Sequence, residues 1–345
     1  MPELEVVIYT RRPLFYNDKN VKGGETMKAF PINQNDAGQR LDRFVKKVAP
    51  TLPGGLLQRY IRIKRIKVNG KRAENNTILS PGDLVELYIN DEFFPPEETS
   101  PLAFLAAKRE LNIVYEDENL LLADKEPGLV VHEDESGERD TLIRRIQRYL
   151  YEKGEYDPAA ENSFSPALCN RIDRNTGGIV IAAKNAATLR VVNELIRERL
   201  IEKYYLCVVF GHPVPKEATL KNFLLKDERE KLVSVFDQPH PGARTAMTKY
   251  RVTAETDRFS LLEVELLTGR THQIRAQMAY AGHPLLGDTK YGTAALNRGT
   301  GWRFQALYAY RVRFNAGERA EHLSYLNGRA FQVKRVPFTD IFPTF

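Results

Sequence analysis

Cysteine is nearly absent: the 345-residue chain holds two, Cys169 and Cys207. Neither has the spacing of a metal knuckle or a disulfide framework, which excludes a stapled fold and points to a reducing compartment. Long apolar runs are absent as well, since no window reaches the roughly 18 uninterrupted apolar residues of a membrane span. The opening stretch MPELEVVIYTRRPLF has no basic start followed by an apolar core. A soluble, cytoplasmic protein without a membrane partner is the expectation. The chain also lacks a phosphate loop, a dinucleotide fingerprint and metal-ligand spacing, so no cofactor and no metal are expected. There is no internal repeat and no low-complexity tract.

What is present is a charge concentrated in one place. The net charge is only +6. Between Arg40 and Arg72, however, eleven basic residues face a single acid, Asp42, and the rest of the chain is slightly acidic. A cationic patch this dense gains affinity for a polyanion by releasing counterions from phosphates. Nucleic acid is the partner this distribution favours.

The length, at about 150 residues per domain, suggests two or three folded units. Residues 1–26 read as a weakly patterned leader. It ends in Lys22-Gly23-Gly24-Glu25-Thr26 just before Met27, a pattern that suggests a misassigned start. From 27 to 90 a small α+β module is expected. Leu41, Phe44, Val45 and Val48 step by three and four as one helix face ended by Pro50, and a second short helix runs from Leu56 to Ile63. Ile66 and Val68 then alternate into Asn69-Gly70, a two-residue hairpin signal, and Pro81-Gly82-Asp83 turns into a further strand. Arg59, Arg62, Lys64 and Lys67 would share one side as RNA contacts. Residues 91–111 read as a linker. From 112 to 345 a larger α+β domain is expected, on a large mixed or antiparallel sheet with few helices. Its strand signals lie at Ile113 to Tyr115, Leu120 to Ala123, Ile179 to Ala183, Tyr205 to Phe210, Thr248 to Glu255, Ser260 to Leu267 and Tyr308 to Phe314.

Three stretches could carry chemistry. Asn170-Arg171-Ile172-Asp173-Arg174-Asn175-Thr176-Gly177-Gly178 is a charged, turn-rich loop feeding an apolar strand, and the arginines flanking Asp173 favour its charged form. Such residues also build ordinary turns, so the loop alone proves little. Lys203-Tyr204-Tyr205-Leu206-Cys207 is a strand with Tyr205 and Cys207 on one face, where tyrosine is commonly a packing residue. In Thr268-Gly269-Arg270-Thr271-His272-Gln273-Ile274-Arg275, Thr271 would cap a helix reaching Gly282, with Arg270, His272 and Arg275 crowding its first turn as an anion site. The alternative for that turn is a core-edge ion pair of Arg275 and a satisfied interior His272.

Taken in order, these stretches resemble the RluA family of RNA pseudouridine synthases. VYEDENLLLADKEPGLVVH (Val114 to His132), RIDRNTGG, EKYYLCVVFG, LLTGRTHQIRAQMAYAGHPLLGDTKYG (Leu266 to Gly292) and QALYAYRVRF (Gln305 to Phe314) carry the resemblance. GQRLDRF, QRYIR, VNGK and SPGDLVELY in the basic segment resemble the S-four-like RNA-binding module. The resemblance implies a catalytic Asp173, an active-site Tyr205 and an Arg275 that pairs with the aspartate. Because the target atoms lie inside stacked or paired RNA, the nucleotide must be flipped out; Arg171, by its position and reach, is the candidate to fill the vacated space, and Arg174, Lys203 and Arg270 are the expected phosphate contacts. Ribosomal RNA of the large subunit is favoured over transfer RNA, with a monomer acting without an obligate protein partner. The family often has His where this chain has Asn170, and Ser-Gly where it has Gly177-Gly178. A non-catalytic ribosome-assembly factor would keep the basic module without needing Asp173. A glycoside hydrolase would need a second carboxylate, for which Asp288 is the nearest motif acid.

Overall fold

The computed structural model describes residues 25–95, 102–133, 137–227 and 229–342. The leader up to residue 24 and residues 96–101 of the expected linker lie outside them. The chain contacts divide into two compact units. One joins the described residues before Ala107 to Gln147–Ser165, and the other joins Ala107–Ile146 to the described residues from Pro166 onward.

The first unit begins with strand β1 (Glu25–Pro31), then helices α1 (Leu41–Val48) and α2 (Gly54–Arg62) and strands β2 (Ile66–Val68), β3 (Lys71–Arg72) and β4 (Leu84–Asn90). The four strands form one sheet in the order β1-β4-β2-β3. Strand β1 starts inside the stretch that reads as leader, because its antiparallel partner β4 supplies a ladder from Glu25 to Pro31 that sequence pattern does not reveal. Leu41, Phe44, Val45 and Val48 of α1 and Leu57 and Ile61 of α2 are buried against this sheet, as their spacing requires. Asn69 and Gly70 have φ of 53° and 71°, the two positive values that a two-residue hairpin turn needs. Arg59, Arg62 and Lys64 are exposed, whereas Lys67 is half-buried with its ammonium 4.7 Å from the Tyr88 ring centre. The return of Gln147–Ser165 is held by a fully buried carboxylate. Asp36 accepts hydrogen bonds from Asn162 Nδ2 at 2.6 Å and from Ser163 Oγ at 2.6 Å.

The second unit is built on β5 (Ile113–Glu116), β6 (Leu120–Lys125), β7 (Ala167–Leu168), β8 (Gly177–Ala183), β9 (Ile201–Phe210), β10 (Glu217–Lys226), β11 (Val233–Phe236), β12 (Arg244–Glu255), β13 (Phe259–Leu266), β14 (Leu307–Phe314) and β15 (Ala330–Gln332). Its helices are α3 (Leu142–Glu152, shared with the first unit), α4 (Ala186–Arg197), α5 (Gln273–Tyr280) and the single turn α6 (Ala294–Asn297). Among the described residues these strands make one sheet in the order β11-β10-β12-β13-β9-β14-β8-β6-β5, with β15 beside β14 and β7 beside β8. It is a mixed sheet, since β14 and β8 run parallel while the other pairs are antiparallel. The α+β class and the large sheet with few helices follow. Strand β8 is buried at all seven positions, so it reads as a continuous apolar run, as a strand covered on both faces does. One face packs on α4, whose Asn185 side chain caps it through Thr188 N–H. No helix among the described residues is long and apolar enough to cross a membrane.

The expected helix cap needs correction. Helix α5 starts at Gln273, and its N-cap is His272 in a left-handed conformation with no side-chain cap, so Thr271 is exposed and caps nothing. Strands β10 and β11 also escape the sequence reading. Charges break the pattern of β10, and β11 is only four residues long; pairing of β10 with β12, and of β11 with β10, makes them strands.

Candidate active site

The loop before β8 is held from four directions. Asn170 accepts the Ile181 N–H on Oδ1 at 2.7 Å and so closes the loop onto β8. Thr176 N–H donates to Asp173 O at 3.1 Å, and Gln305 Nε2 donates to Thr176 Oγ1 at 3.2 Å. The fourth tie is Lys125, the last residue of β6, which is 1 % exposed. Its ammonium donates to the carbonyls of Arg174 at 2.8 Å, Leu129 at 2.9 Å and Glu126 at 3.0 Å. Burial pulls this ammonium down to about 7, with Asp173, Glu126 and Asp124 pulling the other way. A buried lysine spending all three protons on loop carbonyls is a structural clamp. The only sequence sign of it was a charge ending an apolar strand.

The Gly177-Gly178 pair has a packing cause. A Cβ on Gly177 would lie 2.2 Å from Tyr308 Cε2, and one on Gly178, where φ is 112°, would lie 2.3 Å from Ala309 O. Tyr308 cannot swing away without breaking its hydrogen bond to Asp124, 2.8 Å long. The paired glycines are therefore what the parallel β8–β14 contact and this tyrosine demand.

Helix α5 faces that loop. Six successive residues, Gln273 to Met278, are buried, so the helix has no solvent stripe, and a polar network orients it instead. Gln273 Nε2 donates to Thr248 Oγ1 at 2.8 Å and to Met247 O at 3.0 Å, while Thr268 Oγ1 donates to Gln273 Oε1 at 2.8 Å. Gln277 Oε1 accepts from Thr248 Oγ1 at 2.7 Å, and its Nε2 donates to Asn222 at 2.8 Å. Thus Arg275, 6 % exposed, is held firmly. It donates Nε and Nη2 to Asp288 at 2.7 and 2.9 Å and Nη1 to Asp173 Oδ2 at 2.8 Å.

Tyr205 lies on β9 with its side chain buried, close enough to Asp173 for the carboxylate to act on its hydroxyl. Burial first and Asp173 second push that phenol far above its ordinary range, so it stays protonated. Asp173, Tyr205 and Arg275 are therefore brought together from three elements far apart in sequence. Asp288 stands behind the guanidinium, fully buried. Burial raises its carboxyl, but Arg275 and the N–H groups of Lys290 and Tyr291 outweigh this and hold it below its ordinary value. An acid of that kind does not donate a proton to a leaving group, so the site has the wrong second carboxylate for glycoside hydrolysis.

The other expected contacts are spread around. Arg171 and Arg174 are exposed on the loop, and Arg270 donates Nε to Thr245 O at 3.1 Å. Lys203 is half-buried two residues before Tyr205, with its ammonium lowered by burial. Arg59, Arg62, Lys64 and Lys67 belong to the other unit. Two further residues stand beside this site: His272, expected at an anion site or as an interior residue, and Tyr291, to which the sequence assigns no role. His272 Nε2 is 3.8 Å from Asp173 Oδ2, and Tyr291 Oη is 2.8 Å from His272 Nδ1.

The sequence pattern of the RNA pseudouridylate synthase family matches residues 119–280, which span this loop, β9 and α5. The ribosomal large subunit pseudouridine synthase C of Haemophilus ducreyi is 31% identical over 303 residues, 85% of this chain and 89% of that one. An uncharacterised RNA pseudouridine synthase of Mycoplasma genitalium is 30% identical over 312 residues, 88% of this chain and 94% of that one. The structure of human RNA pseudouridylate synthase domain-containing protein 4 superposes with a TM-score of 0.53 at 20% identity, over 70% of this chain and 94% of that one, and so shares the fold. With one carboxylate paired to an arginine beside a buried tyrosine, and with relatives matched over most of its length, this chain belongs to the RNA pseudouridine synthase family.

Proposed function

We propose that the protein isomerises uridines of large-subunit ribosomal RNA, with Asp173 as the reacting carboxylate. The observation that carries the site is the Asp173–Arg275–Asp288 array, in which a doubly anchored guanidinium holds Asp173 Oδ2 in place. In the reaction the bond from C1′ to N1 breaks, the base turns, and a bond from C1′ to C5 forms. A proton leaves C5 and N1 gains one, so no oxidant or energy source is consumed. Attack on the sugar carbon and removal of a sugar proton both need a fixed carboxylate beside the ribose, which is the role given to Asp173. Tyr205, kept as a neutral phenol by burial, supplies a ring against the base rather than a phenolate base.

The nucleotide has to leave its stack to reach this carboxylate, at a cost of a few kcal/mol. Arg171, exposed two residues before Asp173, is the side chain assigned to the vacated space. Arg174, Lys203 and Arg270 are assigned to phosphates, which position the strand without reading it. The segment 27–90 acts as an S-four-like RNA grip through Arg59, Arg62, Lys64 and Lys67, and 112–345 as the catalytic domain. Large-subunit RNA is supported by the name of the Haemophilus ducreyi relative. The protein works as a cytoplasmic monomer with RNA as its partner.

The test is release of tritium from RNA carrying the label at C5 of uracil. Wild type is expected to release it from large-subunit ribosomal RNA. Asp173→Ala is expected to bind the same RNA and release none. Equal release by both proteins would remove Asp173 from the reaction.

A further inference from the structure

His272 has a backbone φ of 52°, a left-handed conformation that directs its ring from the N-terminus of α5 toward Asp173. Strained positions of this kind collect at functional sites. The two ring nitrogens meet different partners: Nδ1 is 2.8 Å from Tyr291 Oη, and Nε2 is 3.8 Å from Asp173 Oδ2. Proton accounting around Tyr291 then fixes the ring. Val233 N–H, on edge strand β11, donates to Tyr291 Oη at 3.0 Å. Burial pushes that phenol up to about 12, so it keeps its hydrogen. Among the described residues the acceptor in hydrogen-bond contact with that hydroxyl is His272 Nδ1, and a hydroxyl donating there requires an Nδ1 without a proton. A neutral imidazole then carries its proton on Nε2, facing the carboxylate.

The neutral form is the one expected at working pH. Burial pulls the imidazolium down to about 4. Arg275 and Lys290 act in the same direction, against Asp173 and Asp288, and these four with Tyr291 are the charged and titratable groups facing the ring.

We propose that His272 is a positioning residue for Asp173, a neutral Nε2–H donor to its carboxylate whose tautomer is set by the Tyr291 hydroxyl. This rests on the reading that Asp173 is the reacting group. Oδ2 already takes a charge-assisted bond from Arg275, and a second cation would hold it tighter still and blunt its reactivity. A neutral donor steers the carboxylate without that effect. The 3.8 Å gap is longer than a hydrogen bond, and a shift of about 1 Å on nucleotide binding closes it, as catalytic contacts commonly tighten in the bound complex. Tyr291 is in turn held to edge strand β11 by the Val233 N–H.

The test reads the tautomer directly, in the full chain with ¹⁵N-labelled histidines. There are six, and His272→Gln assigns the signal. Wild type is expected to show a bare Nδ1 and a protonated Nε2 from about pH 5.5 to 8.5. Tyr291→Phe is expected to mix the tautomers, to lower kcat about ten-fold at unchanged KM, and to add an acid limb to the pH–rate profile. His272→Gln, which keeps a donor amide, is expected to retain more activity than His272→Ala. A protonated Nδ1 in the wild type, or a Tyr291→Phe protein with the wild-type tautomer and pH profile, overturns the proposal. The tautomer is measured without turnover, so its outcome is separate from whether Asp173 reacts at all.

Discussion

Replacing Arg275 by methionine is expected to stop turnover and to remove about 3–5 kcal/mol of stability, the range for a buried ion pair broken on one side. The loss is large because one guanidinium serves two carboxylates. Asp288 is fully buried and, among the described residues, keeps the N–H groups of Lys290 and Tyr291, at 2.8 and 3.2 Å. Asp173 loses the donor that fixes Oδ2. The deficit has a sign in pH. In the wild type the Asp288 carboxyl lies below its ordinary 3.8, so its contribution is present above that value and is lost as pH falls through the folded value. In the variant an unpaired buried carboxyl rises instead, so the stability gap is largest near neutrality and narrows toward about pH 4. Urea denaturation across pH measures it. Adding Asp288→Leu to Arg275→Met removes the stranded charge and is expected to return most of the stability and none of the activity, which separates the structural role of the array from its role at Asp173.

Gly177→Ser is expected to cost about 3 kcal/mol and most of the activity, at the upper end of overpacking penalties. The added Cβ would sit 2.2 Å from the Tyr308 ring, which the Asp124 hydrogen bond keeps in place. Strand β8 follows directly from the Asp173 loop, so relief by moving its start also moves the carboxylate. Thermal unfolding and turnover of Gly177→Ser, alone and with Tyr308→Ala to vacate the space, check the cause. Measured against Tyr308→Ala alone, which carries its own cost, the serine is expected to cost far less than it does in the wild type.

Much of the fold was legible because its apolar periodicity is clean: the helix face of Leu41, Phe44, Val45 and Val48, the Asn69-Gly70 turn and the apolar run of β8 all appear where the pattern puts them. Strand β1 and the β10–β11 pair were not, because each is specified by its partner strand rather than by its own residues. That Asp173 and Arg275 pair, with Tyr205 near the carboxylate, was expected from the order of their motifs. Lys125, His272, Tyr291 and the true place of Asp288 were not. Each acts by ending beside a group more than a dozen residues away, or, for His272, through a backbone twist that propensity does not announce. Asp288 shows the difference most plainly. As a motif acid it was a candidate partner across a bond, and in the folded chain it is the anchor of the arginine that holds Asp173.

Pseudouridine mapped in large-subunit ribosomal RNA from cells lacking this protein, complemented with wild type or with Asp173→Asn, decides whether Asp173 modifies that RNA. Loss of pseudouridine at defined positions, restored by wild type and not by Asp173→Asn, is the predicted result. An unchanged pseudouridine map in the cells lacking the protein, or full restoration by Asp173→Asn, would contradict it.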